Sequence, residues 1–170
     1  MNAIVSVTSD WAIGNKGRLV VANRADMRRF KELTMGGTVI MGRATFESFP
    51  NGPLAGRRNV VVTHDASYGH DHQGIVCAAS PQEALAMVAG DNPDRVWLIG
   101  GESLYRALLP ECERAYVTKN DTTVEADAFF PNLDADDGWQ VEERGDGGVT
   151  AAGIPFEYVV YRNVGNDNDR

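Results

Sequence analysis

The chain reads as an α/β domain with a mostly parallel eight-stranded sheet, an antiparallel C-terminal edge and helices on both faces. Three observations carry that expectation. Short β-branched or apolar runs recur at residues 4–7, 38–41, 59–63, 74–78, 96–99 and 115–118. Unbroken apolar runs of this length belong to strands covered on both faces. Segments with helical spacing lie between them, as crossovers between parallel strands require. Two late segments, 139–143 and 156–162, alternate in polarity and fit an antiparallel pair at a sheet edge.

The helices follow from spacing and from their starts. Residues 26–33 place Met27, Phe30 and Leu33 on one stripe. Ser80-Pro81-Gln82-Glu83 opens another helix with a capping box and a first-turn proline. Residues 102–109 form a third, stopped by Pro110, and 45–49 a short fourth. No internal repeat and no linker divides the chain, so residues 1–163 read as one domain and polar residues 164–170 as a fraying tail.

Composition narrows the function classes. The 170 residues are 43% hydrophobic and 24% charged, enough for a sizeable core and unlike a disordered chain. Net charge is −8, the wrong sign for a general nucleic-acid binder. The first residues read as a strand, not a leader, and no apolar run reaches the roughly 20 residues of a membrane span. Cys77 and Cys112 are far apart, outside any CxxC pair, and read as reduced thiols in apolar surroundings. A cytoplasmic setting is expected. The basic residues are uneven. Arg18, Arg24, Arg28, Arg29, Lys31, Arg43, Arg57 and Arg58 crowd the N-terminal third, which points to an anion site built there.

Asp26 stands one turn before Phe30, beside Met27. A carboxylate on an apolar stripe is partly desolvated, which raises its pKa and suits proton chemistry or a cationic heterocycle. Spacing alone also allows a capping role, with Asn23 as N-cap and Asp26 in the positive first turn. Two glycine turns follow apolar strands: Ile99-Gly100-Gly101-Glu102 and Met41-Gly42-Arg43-Ala44-Thr45. Glycine there lets a ligand approach backbone closely, and Arg43 offers a cationic fork for phosphate. Neither turn is a dinucleotide fingerprint or a P-loop. Paired turns at strand ends mark the usual ligand edge of an open α/β sheet. Arg57 could hold a carboxylate bidentately, although an exposed surface arginine is the commoner case. His70-Asp71-His72 lacks further ligand spacing, so no metal site is expected. His64 alone predicts nothing.

Taken in order, these segments resemble the dihydrofolate reductase family along nearly the whole chain. The carrying stretches are Ala12-Ile13-Gly14 with Gly17-Arg18-Leu19; Asp26-Met27-Arg28-Arg29-Phe30-Lys31; Val39-Ile40-Met41-Gly42-Arg43 with Thr45-Phe46-Glu47-Ser48; Pro53-Leu54 with Gly56-Arg57-Arg58-Asn59; Ile99-Gly100-Gly101 with Tyr105; and Ala126-Asp127 with Phe130-Pro131.

The resemblance implies NADPH-dependent reduction of dihydrofolate to tetrahydrofolate, sensitivity to antifolates, and a monomer that binds neither nucleic acid nor membrane. By resemblance, Asp26 holds the pterin 2-amino group and ring N3, with Thr118 hydrogen-bonded to it as the second catalytic position. Ile4, Val5, Met27, Phe30, Phe49, Leu54, Ile99 and Tyr105 line the substrate pocket. Arg57 takes the glutamate-tail carboxylate, with Lys31 nearby. Gly42, Arg43, Ala44 and Thr45 would hold cofactor phosphate, with Thr63 and His64 beside the 2′-phosphate. Gly100 and Gly101 resemble the family's cis Gly-Gly peptide, followed by Glu102, Ser103 and Leu104 along the cofactor. Ala12 and Ile13 would touch the nicotinamide, and residues 14–19, Gly14 and Leu19 included, would form a mobile loop over it.

Two positions depart from the family pattern. Val20-Val21 stands where most members have Pro-Trp, and Ala44 where a lysine or histidine is common. Loss of the indole leads us to expect a wider, wetter pocket that draws Asp26 back toward a solvated carboxylate. It also keeps two other readings open: a reductase of the same fold acting on a pyrimidine or deazaflavin-type heterocycle, and a non-catalytic folate-binding paralogue.

Overall fold

The computed structural model describes residues 1–166. Its strands are β1 (Asn2–Val7), β2 (Ala12–Asn15), β3 (Arg18–Leu19), β4 (Thr38–Gly42), β5 (Arg58–Val62), β6 (Ile75–Ala78), β7 (Val96–Gly100), β8 (Arg114–Asn120), β9 (Ala128–Phe129), β10 (Trp139–Val149) and β11 (Pro155–Asn163). The helices are α1 (Arg24–Thr34), α2 (Arg43–Glu47), α3 (Tyr68–Asp71), α4 (Pro81–Val88) and α5 (Glu102–Leu108). The main sheet has eight strands in the order β10-β11-β8-β1-β7-β4-β5-β6. Its strands run parallel from β8 through β6, and β11 and β10 add the antiparallel edge. The expected architecture is therefore the observed one.

Alternation along β1 divides the interior. Ala3, Val5 and Val7 join Ile40, Val60, Leu98 and Val117 in a core that includes Ala84 and Val88 of α4 and Leu104, Tyr105 and Leu108 of α5. Ile4 points the other way, into a cluster with Val39, Met41, Val61 and Trp97, packed with Phe30 and Leu33 of α1 and Phe46 of α2. Both faces are apolar because helices cover both.

Local chemistry sets the boundaries. Asn23 caps α1, its side-chain oxygen accepting from Asp26 N at 3.1 Å. Ser80 caps α4 by accepting from Glu83 N, while the Glu83 carboxylate reaches Ala79 N at 2.8 Å, one residue outside the usual reciprocal box. Helix α5 ends at Leu108 and passes into a 3-10 turn, Leu109–Glu111, where Pro110 has no N–H to continue it.

Some features depart from the sequence reading. Residues 14–19, expected as a mobile loop, take part in the β2–β3 hairpin of a small second sheet, β3-β2-β9. Asp127 ties it down by accepting from Lys16 N at 2.9 Å, and Phe130 N donates to Trp11 O at 2.8 Å. The His70-Asp71-His72 stretch includes part of α3, and the His72 ring stacks on Tyr68 with centroids 4.1 Å apart. Among residues expected to fray, Val164 N and Gly165 N donate to Gly138 O, and the Asn166 amide donates to Pro110 O. The remaining tail, 167–170, lies outside the described residues. Both cysteines are free, and burial pushes the Cys112 thiol up to about 12.

The turn between α1 and β4 depends on close backbone contact. A Cβ on Gly37 would stand 2.4 Å from Arg95 O and 3.2 Å from Thr34 O. Both atoms belong to backbone, so neither yields as a flexible side chain does. Gly37→Ala is expected to cost at least about 1–3 kcal/mol, the range of core overpacking. Urea unfolding midpoints of the variant and parent check it; equal midpoints would mean that the turn relaxes freely.

Candidate active site

The polar centre of the site is assembled across α1, β8 and β1. Asp26 sits in the first turn of α1, and Thr118 of β8 donates a short hydrogen bond to its carboxylate. Burial raises Asp26 above the ordinary carboxylate range, against the opposing pull of Thr118 and the Arg29 charge. Both sequence readings of this turn meet here. Asn23 is the cap, and Asp26 is free of capping work because its carboxylate turns to Thr118. The Asn23 amide also donates to Asn120, whose own amide donates to Ser6 Oγ at 2.9 Å and Val7 O at 3.0 Å. The helix start is thereby fixed to two strands, and the carboxylate with it.

A cavity of about 240 Å³ opens beside Asp26, lined by Ser6, Leu19, Val21, Ala22, Asn23 and Met27. Val21 is buried at this wall. The missing indole thus coincides with open volume. The expectation that Asp26 would drift back toward a solvated value is not met, since it remains raised by burial. Its surroundings on α1, β8 and β1 supply the desolvation.

The apolar positions sort by face. Ile4, Phe30, Phe49, Leu54 and Ile99 gather in one cluster on the α1 side. Val5, Tyr105 and Leu104 do not join them: their side chains lie in the opposite core, because strand alternation and the buried face of α5 send them there. Tyr105 reaches the site only indirectly, its hydroxyl donating to Ile4 O at 2.6 Å. Met27 and Leu19 are exposed at the rim, as is Lys31. Arg57 closes the far end. Its Nε donates to Ala55 O, Nη1 donates to Thr34 Oγ1 at 3.1 Å, and the guanidinium stands 5.9 Å from the Phe30 ring centre.

Beyond Ile99 the two glycine turns meet, since β4 and β7 are neighbours with Met41 opposite Gly100. The Gly100–Gly101 peptide is cis. A Cβ on Gly101 would lie 3.3 Å from Thr45 Oγ1, one on Gly100 3.3 Å from the Tyr105 ring, and one on Gly42 3.8 Å from Gly101 N. The result is a backbone-lined cradle with Thr45 at its side. No side chain caps α2 or α5, whose N-cap positions are Gly42 and Gly101. This cradle fits a dinucleotide diphosphate.

Arg43 leads away from the cradle, exposed, with Nε 2.8 Å from Glu47, Nη1 3.7 Å from Asp65, and its guanidinium 4.4 Å from the Tyr68 ring centre. Thr63 is half-buried and accepts from Asp65 N; His64 and Ala44 are exposed. Ala12 and Ile13 are buried. The Glu102 carboxylate accepts from Phe129 N at 2.5 Å, tying the start of α5 to β9. Ser103 is exposed. Among described residues no cluster of His, Cys, Asp and Glu fits a metal ion, and no helix is long and apolar enough to cross a membrane.

Sequence reasoning missed Ser6, Asn120, Arg29 and the buried Trp11. Trp11 holds a left-handed backbone, φ +64°, and its ring stacks on Phe130. No local pattern marks these residues, since their partners lie far away in sequence.

The carboxylate pocket and the glycine cradle flank the central strands β1 and β7, the layout of an open α/β sheet with its ligand-binding edge beside the middle strands. Similarity to known proteins defines the class further. A family model described as dihydrofolate reductase matches residues 1–163. The dihydrofolate reductase of Neisseria gonorrhoeae is 38% identical over 136 residues, covering 80% of this chain and 81% of that protein. Dihydrofolate reductase type 3 of Salmonella typhimurium is 41% identical over 120 residues, 71% of this chain and 70% of that one. A solved dihydrofolate reductase from Enterococcus faecalis, in complex with NADP(H) and RAB-propyl, superposes with a TM-score of 0.82 at 30% identity over 95% of both chains. The chain belongs to the dihydrofolate reductase family.

Proposed function

We propose that this chain reduces dihydrofolate to tetrahydrofolate with NADPH, residues 1–163 acting as one domain, a cytoplasmic monomer that binds no nucleic acid. The observation that carries the reading is Asp26, desolvated, hydrogen-bonded to Thr118 and open to the cavity. When bound, NADPH supplies a hydride to the pterin C6, and a proton must reach the adjacent nitrogen N5. Asp26 grips the 2-amino group and N3, orienting and polarising the ring, while water supplies the N5 proton. Ile4, Phe30, Phe49, Leu54 and Ile99 wall the ring and its linker. Arg57 receives the tail carboxylate. Gly42, Thr45, Gly100 and Gly101 seat the cofactor phosphates, and Arg43 faces the 2′-phosphate. Positioning of this kind is the protein's main contribution to hydride transfer. The test is loss of the NADPH absorbance band with dihydrofolate added and then omitted. Oxidation that does not depend on dihydrofolate would overturn the reading.

The family relationship favours this over a pyrimidine or deazaflavin reductase and over a silent paralogue. The open volume at Val21 carries its own expectation. Val21→Trp restores a large apolar wall and one N–H donor. It should tighten binding of a diaminopyrimidine antifolate by roughly tenfold, in line with ~1–2 kcal/mol for burying further apolar surface. Calorimetric titration of both proteins reads this. A folded variant that binds no better would show the volume to be unusable.

A further inference from the structure

Arg29 belongs to a run of charged residues on α1, yet it is not a solvated surface arginine. It is half-buried, and its guanidinium carbon lies 4.1 Å from the Tyr158 ring centre and 5.8 Å from that of Tyr116. One of its terminal nitrogens, Nη1, is fully buried without a hydrogen-bond partner. A desolvated guanidinium held by ring faces needs compensation from a nearby anion. Asp26 stands one turn before it, on the neighbouring helical position.

The groups packed around Asp26 can be named element by element. Thr118 faces it from β8, Tyr116 two residues earlier on that strand lies under Arg29, and Tyr158 of β11 is paired with Thr118 in register. Ile4 and Ser6 lie opposite on β1, in register with Tyr116 and Thr118. Tyr105 of α5 feels the Asp26 charge from beneath the sheet. Burial holds Tyr105, Tyr116 and Tyr158 above the ordinary phenol value, so they stay neutral near pH 7. Of these groups Arg29 alone is charged there. It has no opening to bulk solvent at Nη1, so its field is screened less than that of Arg28, which is exposed on the same helix.

We propose that Arg29 is a positioning residue for the reaction: stacked on Tyr158 one helical turn from Asp26, it holds that carboxylate in the ionised form that grips the pterin ring. The inference rests on the function proposed above for Asp26. Attraction from Arg29 opposes the burial that raises this carboxylate, and Tyr158 feels both charges. Arg29 thus offsets the desolvation that the site imposes, and Thr118 does the same by donating a hydrogen bond.

The experiment reads this coupling without substrate, so its outcome is separable from that of the activity assay. Full-length protein carrying 13C-labelled aspartate is titrated by NMR, with the Asp26 carboxyl signal assigned by its loss in Asp26→Asn. Arg29→Met keeps the stem and removes the charge; Arg29→Gln also keeps an N–H donor. Both should move the Asp26 midpoint to higher pH, and Arg29→Lys should return it toward the parent value. Arg28→Met should leave it near the parent value. A merely structural Arg29 would lower the melting temperature and leave the midpoint in place. An unmoved midpoint in either folded neutral variant, or an equal shift in Arg28→Met, overturns the proposal.

Discussion

Asp26→Asn is expected to lower turnover about a hundred- to ten-thousandfold at neutral pH, the usual weight of a positioned group in proton chemistry, while the protein stays folded. The amide keeps the shape and can still accept from Thr118, and the Asn23 cap uses only the Asp26 backbone. What disappears is the negative charge that pairs with the pterin. The same substitution carries a stability signature of opposite sign. The folded state raises Asp26 because burial outweighs both Thr118 and Arg29. A group whose folded-state pKa is raised contributes stability that is complete below its unfolded pKa. That contribution is lost as pH rises through the folded-state value. At neutral pH the ionised carboxylate therefore costs stability, and the uncharged amide does not. The variant should melt higher than the parent at neutral pH, with the gap closing in acid below the ordinary carboxylate value. Steady-state assay and calorimetry across pH read both halves. Near-normal turnover would leave Asp26 as a first-turn residue of α1 and nothing more.

The sheet was legible in the sequence because its inner strands, such as residues 39–41 and 96–99, are covered on both faces and so are apolar without a break. Asp26, Phe30, Arg57 and the glycine turns were legible by resemblance, in order along the chain. Periodicity could not reveal β2, β3 and β9. Strands of two to four residues carry too little pattern, and this sheet exists through contacts of high sequence separation, Asp127 to Lys16 and Phe130 to Trp11. Arg29 was hidden for a related reason. Beside Arg28 it looks like one more charge on a solvated face, and only Tyr116 and Tyr158, brought over by β8 and β11, make it half-buried. Face assignment also had to wait for the fold. Ile4 and Val5 are adjacent in sequence, but the strand sends them into different cores, and only Ile4 joins the cluster with Phe30, Phe49 and Ile99.

The same three-dimensional context shapes the second large effect, the choice between NADPH and NADH. Arg43→Ala should lower kcat/KM for NADPH by roughly ten- to a hundredfold, the weight of one charge-assisted hydrogen bond to phosphate, while NADH changes little. Arg43 is not idle in the absence of cofactor. Glu47 and Asp65 share its charge, and Tyr68 supports its plane while donating to Glu47 at 3.0 Å. These partners fix the fork in place, and so reduce the ordering cost when phosphate arrives. They also oppose a dianion by like-charge repulsion, and Glu47 is held below the usual carboxylate range, hence fully ionised, by its bonds from Arg43 and Tyr68. Glu47→Gln removes one of those charges. It should therefore raise preference for NADPH above that of the parent, provided that Arg43 keeps its stack on Tyr68. The two variants move the cofactor ratio in opposite directions if Arg43 meets the 2′-phosphate. Equal losses with both cofactors in Arg43→Ala would instead place the guanidinium at the shared diphosphate, and an unchanged ratio would remove it from the cofactor site altogether.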